Sequence, residues 1–433
     1  MGKFKATIII LNWNGQHLLR RCLPSVIQAA NYDGGGHEIL VVDNGSKDGS
    51  TQFVLNNYPG VGVLPLPDNR GFVGGYNAGL AIARQHLVVL LNNSTWVRPD
   101  FLTNLLIHFE SPDVFAVAPK ILTPAGLIEV EYLHATWDSR GIIGQKQPGY
   151  NEPDRGKVGG PCYTFYAPGG CSAFSKTKLM ALGWFHPLYA PFHWEEVDIS
   201  YRAWKRGWKA MYEPRAVAWH EAGSTFSKYV PAEQSKLIWH RNRLLFMWSN
   251  FSDPEMVRQH HSYLPVWAGL DPLHNQSLQA AKALMPQAEQ KRYNDQPHWK
   301  LSDKEVFNLI GACCSGVRPN GSLVKGSDSN VFLLEGAGKR HVPSRAILDS
   351  FSNWLHVIPI SDQELAAYPF MPEVEFREGS LIASPDRTAY VVSKGRKHPV
   401  ASLQRLADLG RSPDEIIPVS WEDLRRLKDG GPA

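Results

Sequence analysis

Two short apolar runs, each ending in a polar residue, set the frame for everything else in the chain. Ala6–Asn12 (ATIIILN) and Glu38–Asp43 (EILVVD) are rich in β-branched residues and too short for helices. They are apolar on both faces, which is the pattern of a strand covered by helices above and below, as in a parallel sheet. Between them, Gln16–Ala29 carries apolar residues at helical spacing. The alternation continues with a less apolar strand at Val61–Leu66, a helix at Gly74–Gln85, a strand at His86–Leu91, a helix at Phe101–Phe109 and a strand at Val114–Ala118. Repeated βα units predict a doubly wound α/β sheet, and ligands of such sheets sit at the carboxyl ends of the strands. Asp43 and Asn92–Ser94 fall at those ends.

From Thr123 to Pro168 the pattern loosens into Gly, Pro and aromatic residues, as in loops or hairpins. Helical spacing returns at Ser175–Leu182, Glu196–Arg206 and Pro231–Trp248, with a strand at Ala210–Tyr212. Gln276–Arg292 reads as a helix interrupted by Pro286, and Asn294–His298 as a linker. The tail repeats itself. Gly321–Val324 (GSLV) matches Gly379–Ile382 (GSLI), Val342-Pro343-Ser344 aligns with Val400-Ala401-Ser402, and Ile358–Ser361 (IPIS) matches Ile417–Ser420 (IPVS). Two copies of about 58 residues predict a small α+β domain whose halves bury a shared face. In each copy two strands meet at a Gly/Lys turn (Gly336–Arg340; Lys394–Lys397), and the basic residues there, Lys339-Arg340-His341 and Arg396-Lys397-His398, read as solvated hairpin tips in preference to contacts for polysaccharide or anionic lipid headgroups. The expected organisation is 1–250, a helical extension at 251–317, and the repeat domain at 318–433.

Composition narrows the function classes. With 433 residues, 43% hydrophobic and 20% charged, the chain is globular and too long for one core. A net charge of +4 is too small for a general nucleic-acid binder, so no nucleic acid is expected as a partner. No apolar run reaches the ~18–20 residues of a spanning helix. The five cysteines form no CxxC pair. The expectation is a cytoplasmic protein with at most peripheral contact at the inner face of the membrane.

Four segments carry chemistry. In Val41–Ser50 (VVDNGSKDGS), an acid at a strand end can accept hydrogen bonds from a base edge or a ribose hydroxyl; the plainer alternative is that Asp43 caps its own turn. In Asn69–Gly79 (NRGFVGGYNAG), glycines allow close approach of a ligand to the backbone, unless this is an ordinary glycine-rich turn. Leu91–Thr95 (LNNST) follows a strand directly. His193–Ile199 (HWEEVDI) gathers carboxylates that suit a general base or a cation, or that merely complement a helix dipole, and His220–Gly223 adds a histidine that can equally be a core residue.

In this order and spacing the segments resemble the family 2 glycosyltransferases of GT-A fold, and most of all the rhamnosyltransferase-like branch that builds bacterial surface polysaccharides. The resemblance runs from about Ala6 to Asn250 and includes IIILNWNG (Ile8–Gly15), GGCSAFSKTKLMALGWF (Gly169–Phe185), EEVDISYRAWKRGW (Glu195–Trp208) and WHEAGST (Trp219–Thr225). It implies a Rossmann-like, mostly parallel sheet with flanking helices and an inverting sugar transfer. The donor would be a dTDP- or UDP-sugar, the acceptor a glycan or a lipid-linked glycan. By the same resemblance Asn12, Asn14, Asp43, Asn69, Arg70, Gly74, Gly75, Asn77, Asn92 and Asn93 bind the donor. Gly169, Gly170 and Trp194 face the acceptor. Glu196 is the base, with Glu195 and Asp198 beside it, and His220 with Ser94 would hold a divalent Mn or Mg ion.

Two positions depart from the family pattern. Ser94 stands where an Asp is expected, and a neutral hydroxyl is a poor ligand for a hard dication. Glu196 stands where the base is usually Asp; its intrinsic acidity is close to that of Asp, so the chemistry survives one extra methylene. With the cation weakened, Arg70 and Arg241 or Arg243 become candidates to neutralise the diphosphate. The competing class is a degenerate transferase that keeps the donor cleft as a sugar-nucleotide or glycan binding module.

Overall fold

The computed structural model describes residues 4–32, 34–137, 141–147, 149–154, 160–221, 223, 230–312, 322–335, 338–350, 357–408, 411 and 413–432. Cys313, Cys314, Gly321, Gly336 and residues 222 and 224–225 of the WHEAGST motif lie outside them. The chain divides into two compact units, Met1–Val317 and Arg318–Ala433.

In the first unit, β1 (Ala6–Asn12) pairs in parallel with β2 (Glu38–Asp43) on one side and β4 (Leu87–Asn92) on the other. β3 (Gly62–Pro65) extends the sheet beyond β2, giving the order β3-β2-β1-β4. The sheet continues through β11 (Cys171–Ser175), β6 (Val114–Leu122), β12 (Lys209–His220) and β10 (Cys162–Tyr163). β11 runs antiparallel to both neighbours, so one reversed strand lies inside an otherwise Rossmann-like order. β5 (Thr95–Val97) and β7 (Ile128–Val130) attach to β12 and β6, and β8 (His134–Trp137) with β9 (Ile143–Lys146) forms the hairpin that the loose middle segment suggested.

Helices α1 (Gln16–Asn31), α2 (Ser50–Asn57), α3 (Gly71–Ile82), α4 (Phe101–Leu106), α5 (Lys176–Ala181) and α6 (Glu195–Lys205) accompany these strands. Glycine explains how α3 docks. A Cβ on Gly79 would lie 2.8 Å from Ile9 Cγ2 and from Val42 Cγ2, and one on Gly75 would lie 2.5 Å from Leu11 Cδ1. These glycines let the helix sit directly on β1 and β2. The expectation that Gly75 admits a ligand to the backbone is corrected accordingly: the space it frees is filled by the sheet. The space beside Gly74 is filled by the Arg70 stem, 2.6 Å from its would-be Cβ.

The helices after Asn250 pack with α6 in one core. α7 (Ala232–Asn250), α8 (Pro254–Ala268), α9 (Pro272–Ala283), α10 (Met285–Asp295) and α11 (Asp303–Ala312) bury Leu244, Phe246, Met256, Trp267, Leu278 and Val306 together with Tyr201 and Trp204. Two expectations change here. The helix break falls at Leu284, and Pro286 opens α10, where a missing N–H costs nothing. Asn294–His298 is no linker, because Asp295 is buried against Arg202 and Arg206. Among the described residues no helix is long and apolar enough to cross a membrane.

The second unit contains two five-stranded sheets of identical topology. Around β13 (Leu323–Lys325), β14 (Val331–Glu335) and β15 (Gly338–Val342), the parallel partners are β16 (Val357–Pro359) and β17 (Phe370–Met371). The second sheet repeats this with β18 (Leu381–Ala383), β19 (Ala389–Ser393), β20 (Arg396–Pro399), β21 (Ile417–Pro418) and β22 (Lys428–Asp429). Leu323, Leu333 and Ile347 from one copy share an apolar cluster with Ile382, Val392 and Leu424 from the other. The basic residues are not all solvated tips, which corrects the hairpin reading. Lys339 is buried and donates to Leu365 O (2.7 Å), and Lys397 donates to Leu427 O (3.0 Å). In each copy a lysine thus serves carbonyls at or just past the end of a short helix (Asp362–Ala366; Trp421–Arg425), where a cation complements the helix dipole.

The α3 interface gives a direct test. Gly79→Ala should lower unfolding stability by about 1–3 kcal/mol through overpacking against Ile9 and Val42. Urea unfolding of the full chain measures it, and an unchanged midpoint would contradict the packing described.

Candidate active site

The polar residues at the strand ends are joined into one rim. Asn44 N donates to Asn12 O (2.8 Å), and Asn93 Nδ2 donates to Asn12 Oδ1 (2.7 Å). Ser46 Oγ accepts from Asn14 N (2.8 Å) and from Asn12 Nδ2 (3.3 Å). Asn44 then reaches the start of α3: its Nδ2 donates to Asn69 Oδ1 and Gly71 O, and its Oδ1 accepts from Arg70 N. At the end of β4, Asn92 N donates to Gly170 O (2.7 Å) and Asn92 Oδ1 accepts from Tyr76 Oη (3.2 Å). Gly170 leaves no room for a side chain, since its Cβ would stand 2.3 Å from Asn92 Nδ2. The would-be Cβ of Gly169 lies 2.6 Å from Phe72 and 3.5 Å from Glu196 Cβ. A continuous line of contacts therefore runs from Asp43–Asn44 through Gly71–Phe72 and Gly169 to Glu196.

Asp43 is buried, with one oxygen accepting from Ser46 N (3.2 Å) and the other from Thr51 Oγ1. Its visible role is the capping of its own turn, the plainer of the two expectations. Each of these oxygens retains a second lone pair for a ligand. Asn77 does not line the rim: its carboxamide both donates to Phe185 O and accepts from Phe185 N, which corrects its assignment to the donor. Arg70 is exposed and pairs with Asp68 at 3.4 Å. Arg241 and Arg243 spend hydrogen bonds on backbone carbonyls of Ala190 and Ile143. The sequence reading did not single out Asn44 or Ser46, although both lie within the VVDNGS run and Asn44 is only 3% exposed.

The three acids of α6 occupy different environments. Asp198 is fully buried and fully engaged: Oδ1 accepts from Tyr189 Oη and Asn250 Nδ2 at 2.8 Å each and lies 2.8 Å from Lys291 Nζ, while Oδ2 accepts from Arg202 Nε at 2.8 Å. Burial opposes its ionisation, but Lys291 and Arg202 more than offset this and hold the carboxyl well below its ordinary value. The catalytic expectation for Asp198 is therefore corrected, because neither oxygen is free to touch a substrate. It anchors α6 from inside, and Lys205–Asp303 (2.8 Å) is a second such anchor.

Glu195 and Glu196 are the opposite case. Oε2 of each is buried without a hydrogen-bond partner, as is Trp194 Nε1. Burial pushes the Glu196 carboxyl above its ordinary value, and burial with the neighbouring Glu196 pushes Glu195 well above its own. The negative field of Glu196 also contributes to raising the Tyr166 phenol, behind burial itself. Trp194 is buried against Trp239 and Phe246, so it reads as a wall of this site.

The cation expectation is tested by the donors present. Across the ladder from Thr95, His220 binds Glu129 Oε1 through Nδ1 at 2.7 Å. Ser94 offers only a hydroxyl, and Asn92 and Asn93 already spend carboxamide groups on Tyr76 and Asn12. Among the described residues no group of three or more His, Cys, Asp and Glu is placed to hold a metal ion. This set does not fit a dication held by the protein alone.

A strand-end rim on a mixed sheet of this order is the architecture of GT-A glycosyltransferases. A solved structure of GalNAc-T7 with UDP, GalNAc and Mn2+ shares the fold, with a TM-score of 0.51 at 16% identity over 79% of this chain and 68% of that one. Residues 7–179 match the model for glycosyl transferase family 2, and the first unit carries a domain of that family. Pre-mycofactocin glycosyltransferase of Mycobacterium tuberculosis is 27% identical over 224 residues, which are 50% of this chain but only 42% of that relative. N-acetylglucosaminyl-diphospho-decaprenol L-rhamnosyltransferase of the same organism is 27% identical over 214 residues, 43% of this chain and 67% of the relative.

Asp198→Asn should cost about 3–5 kcal/mol, since it removes the counter-charge of two buried cations. Denaturant unfolding at neutral pH reads this, and a loss below about 1 kcal/mol would contradict the assignment of Asp198 as an anchor.

Proposed function

We propose that this chain is an inverting glycosyltransferase that moves a sugar, rhamnose or a similar one, from a dTDP- or UDP-sugar to a hydroxyl of a glycan or lipid-linked acceptor. The observation that carries this reading is the Glu196 carboxyl, whose buried Oε2 has no hydrogen-bond partner, at the end of the same rim that begins at Asp43. The nucleoside would sit over Asp43, Asn12 and Asn14, and the diphosphate-sugar would lie along Asn69–Gly71 and Asn92–Asn93 toward Gly169. The acceptor would approach past Trp194 and Gly170.

In the transfer, Glu196 takes the proton of the acceptor hydroxyl as its oxygen bonds to the anomeric carbon. The bond from that carbon to the diphosphate oxygen breaks, and the electron pair leaves with the nucleoside diphosphate. Attack from the face opposite the diphosphate inverts the centre. Burial serves this chemistry, because a carboxylate raised toward neutrality is a stronger base than an exposed one. Backbone amides at the start of α3 and the carboxamides of the rim offer neutral hydrogen bonding to the leaving group. A divalent ion, if used, would arrive with the diphosphate, since the rim provides no carboxylate of its own at Ser94. The rhamnosyltransferase relative supports the choice of sugar and of a lipid-linked acceptor.

Glu196→Gln should reduce turnover of the accepted donor by about 10²–10⁴-fold while calorimetric binding of the nucleoside diphosphate stays unchanged. In the wild type, kcat/KM should rise with pH through a midpoint above the ordinary carboxylate range, because a base works only once its raised pKa is passed. Turnover unaffected by the substitution, or no turnover across dTDP- and UDP-sugars, would favour a binding module instead.

A further inference from the structure

The chain enters α6 along an unusual path. His193 and Trp194 both lie in the left-handed region, at φ 73° and 75°, and neither is glycine. Side chains other than glycine hold that conformation only where surrounding structure enforces it. Trp194 is the residue immediately before α6, so its backbone sets the direction in which Glu195 and Glu196 emerge.

The enforcement comes from α7. Asn242, fully buried, has its Nδ2 2.8 Å from Tyr189 O, 2.9 Å from Phe192 O and 2.8 Å from His193 O. One carboxamide nitrogen with two hydrogens thus serves three carbonyls of the same loop. Its Oδ1 accepts from Arg241 Nε at 2.9 Å, and Arg241 Nη2 donates to Ala190 O at 2.5 Å. Ser235, two turns earlier on α7, meets His193 Nε2 at 3.0 Å. A carboxamide supplies two donor hydrogens to carbonyls on one side and an acceptor for a guanidinium on the other; a Ser hydroxyl has a single hydrogen and a shorter reach, Asp lacks the donors and Leu lacks both.

We propose that Asn242 is the positioning residue for the base: it clamps the 189–193 backbone, keeps His193 and Trp194 left-handed, and thereby aims Glu196 at the rim. Arg241 orients the Asn242 carboxamide and does not contact the diphosphate. This rests on the reading of Glu196 as the base, and goes beyond it by assigning Arg241 and Asn242 of α7 to the loop rather than Arg241 to the donor.

The test uses the full chain with Asn242→Ser, Arg241→Met, Glu196→Gln and the Asn242→Ser/Glu196→Gln pair. Hydrogen–deuterium exchange should be at least tenfold faster in peptides covering 189–196 of Asn242→Ser, with peptides of β1, β2 and β4 unchanged. In steady-state kinetics kcat should fall about a hundredfold with donor KM within twofold. Arg241→Met should change kcat in the same direction and leave donor KM alone. In the Glu196→Gln background the Asn242 substitution should cost no further activity. Unchanged exchange in the loop of both single variants would overturn the clamp, and so would an Asn242 effect that persists undiminished without Glu196. A rise in donor KM for Arg241→Met would return Arg241 to the diphosphate. Faster loop exchange in a chain whose wild type transfers no sugar would support the clamp and sink the proposed function instead. Should Asn242→Ser not fold, Arg241→Met, on a partly exposed residue, gives the same exchange readout.

Discussion

The interaction on which the rest depends is the buried pairing of Asp198 with Arg202 and Lys291. It fixes the inner face of α6 to α10, and by doing so it fixes the face that carries Glu196. Two carboxyls two residues apart are driven in opposite directions: Asp198 is held ionised by two cations, while Glu196 has no cation and no hydrogen bond on Oε2. Under the proposed function, separation of this kind leaves one acid for structure and one for proton transfer. The helices after Asn250 belong to this arrangement, since Lys291, Asp295 and Asp303 all come from them.

The rim opposite α6 is built from carboxamides rather than charges. Asn12, Asn44, Asn69, Asn92 and Asn93 spend much of their hydrogen bonding on one another, on Tyr76 and on backbone. A neutral, cross-linked edge of this kind is preorganised, so it loses little entropy when a ligand is seated. The serine at position 94 fits the same pattern. Where the resemblance implied a carboxylate for a metal ion, this chain continues its uncharged edge, and Glu129 and His220 are bonded to each other.

Much of this was legible in the chain. The apolar runs at Ala6–Asn12 and Glu38–Asp43 place two parallel strands correctly because a strand buried on both faces has no other composition. The same runs place their polar ends on one edge, and the family resemblance adds Gly169 and Glu196 to the site. What spacing hides is the partner of each side chain. Gly75 and Gly79 look like ligand-binding glycines but serve helix–sheet contact. Asn77 sits nearly two turns along α3 and is taken by Phe185, and Asp198 lies in a readable acidic cluster yet faces inward. The clamp by Asn242 was out of reach because it joins residues about fifty positions apart, through carbonyls that any sequence possesses. Lys339 misled for a related reason: a basic residue in a hairpin appears solvated until the helix end it serves is folded over it.

The central claim is that Glu196 faces the anomeric carbon of a sugar whose nucleoside rests over Asp43. A crystal structure of the chain with an unreactive dTDP- or UDP-sugar analogue tests it most directly. The account predicts the Glu196 carboxyl on the face of the anomeric carbon opposite the diphosphate, within about 6 Å, the span of one acceptor hydroxyl between them. A sugar bound at Asp43 with its anomeric carbon turned away from α6, and another carboxylate at that distance, would contradict it.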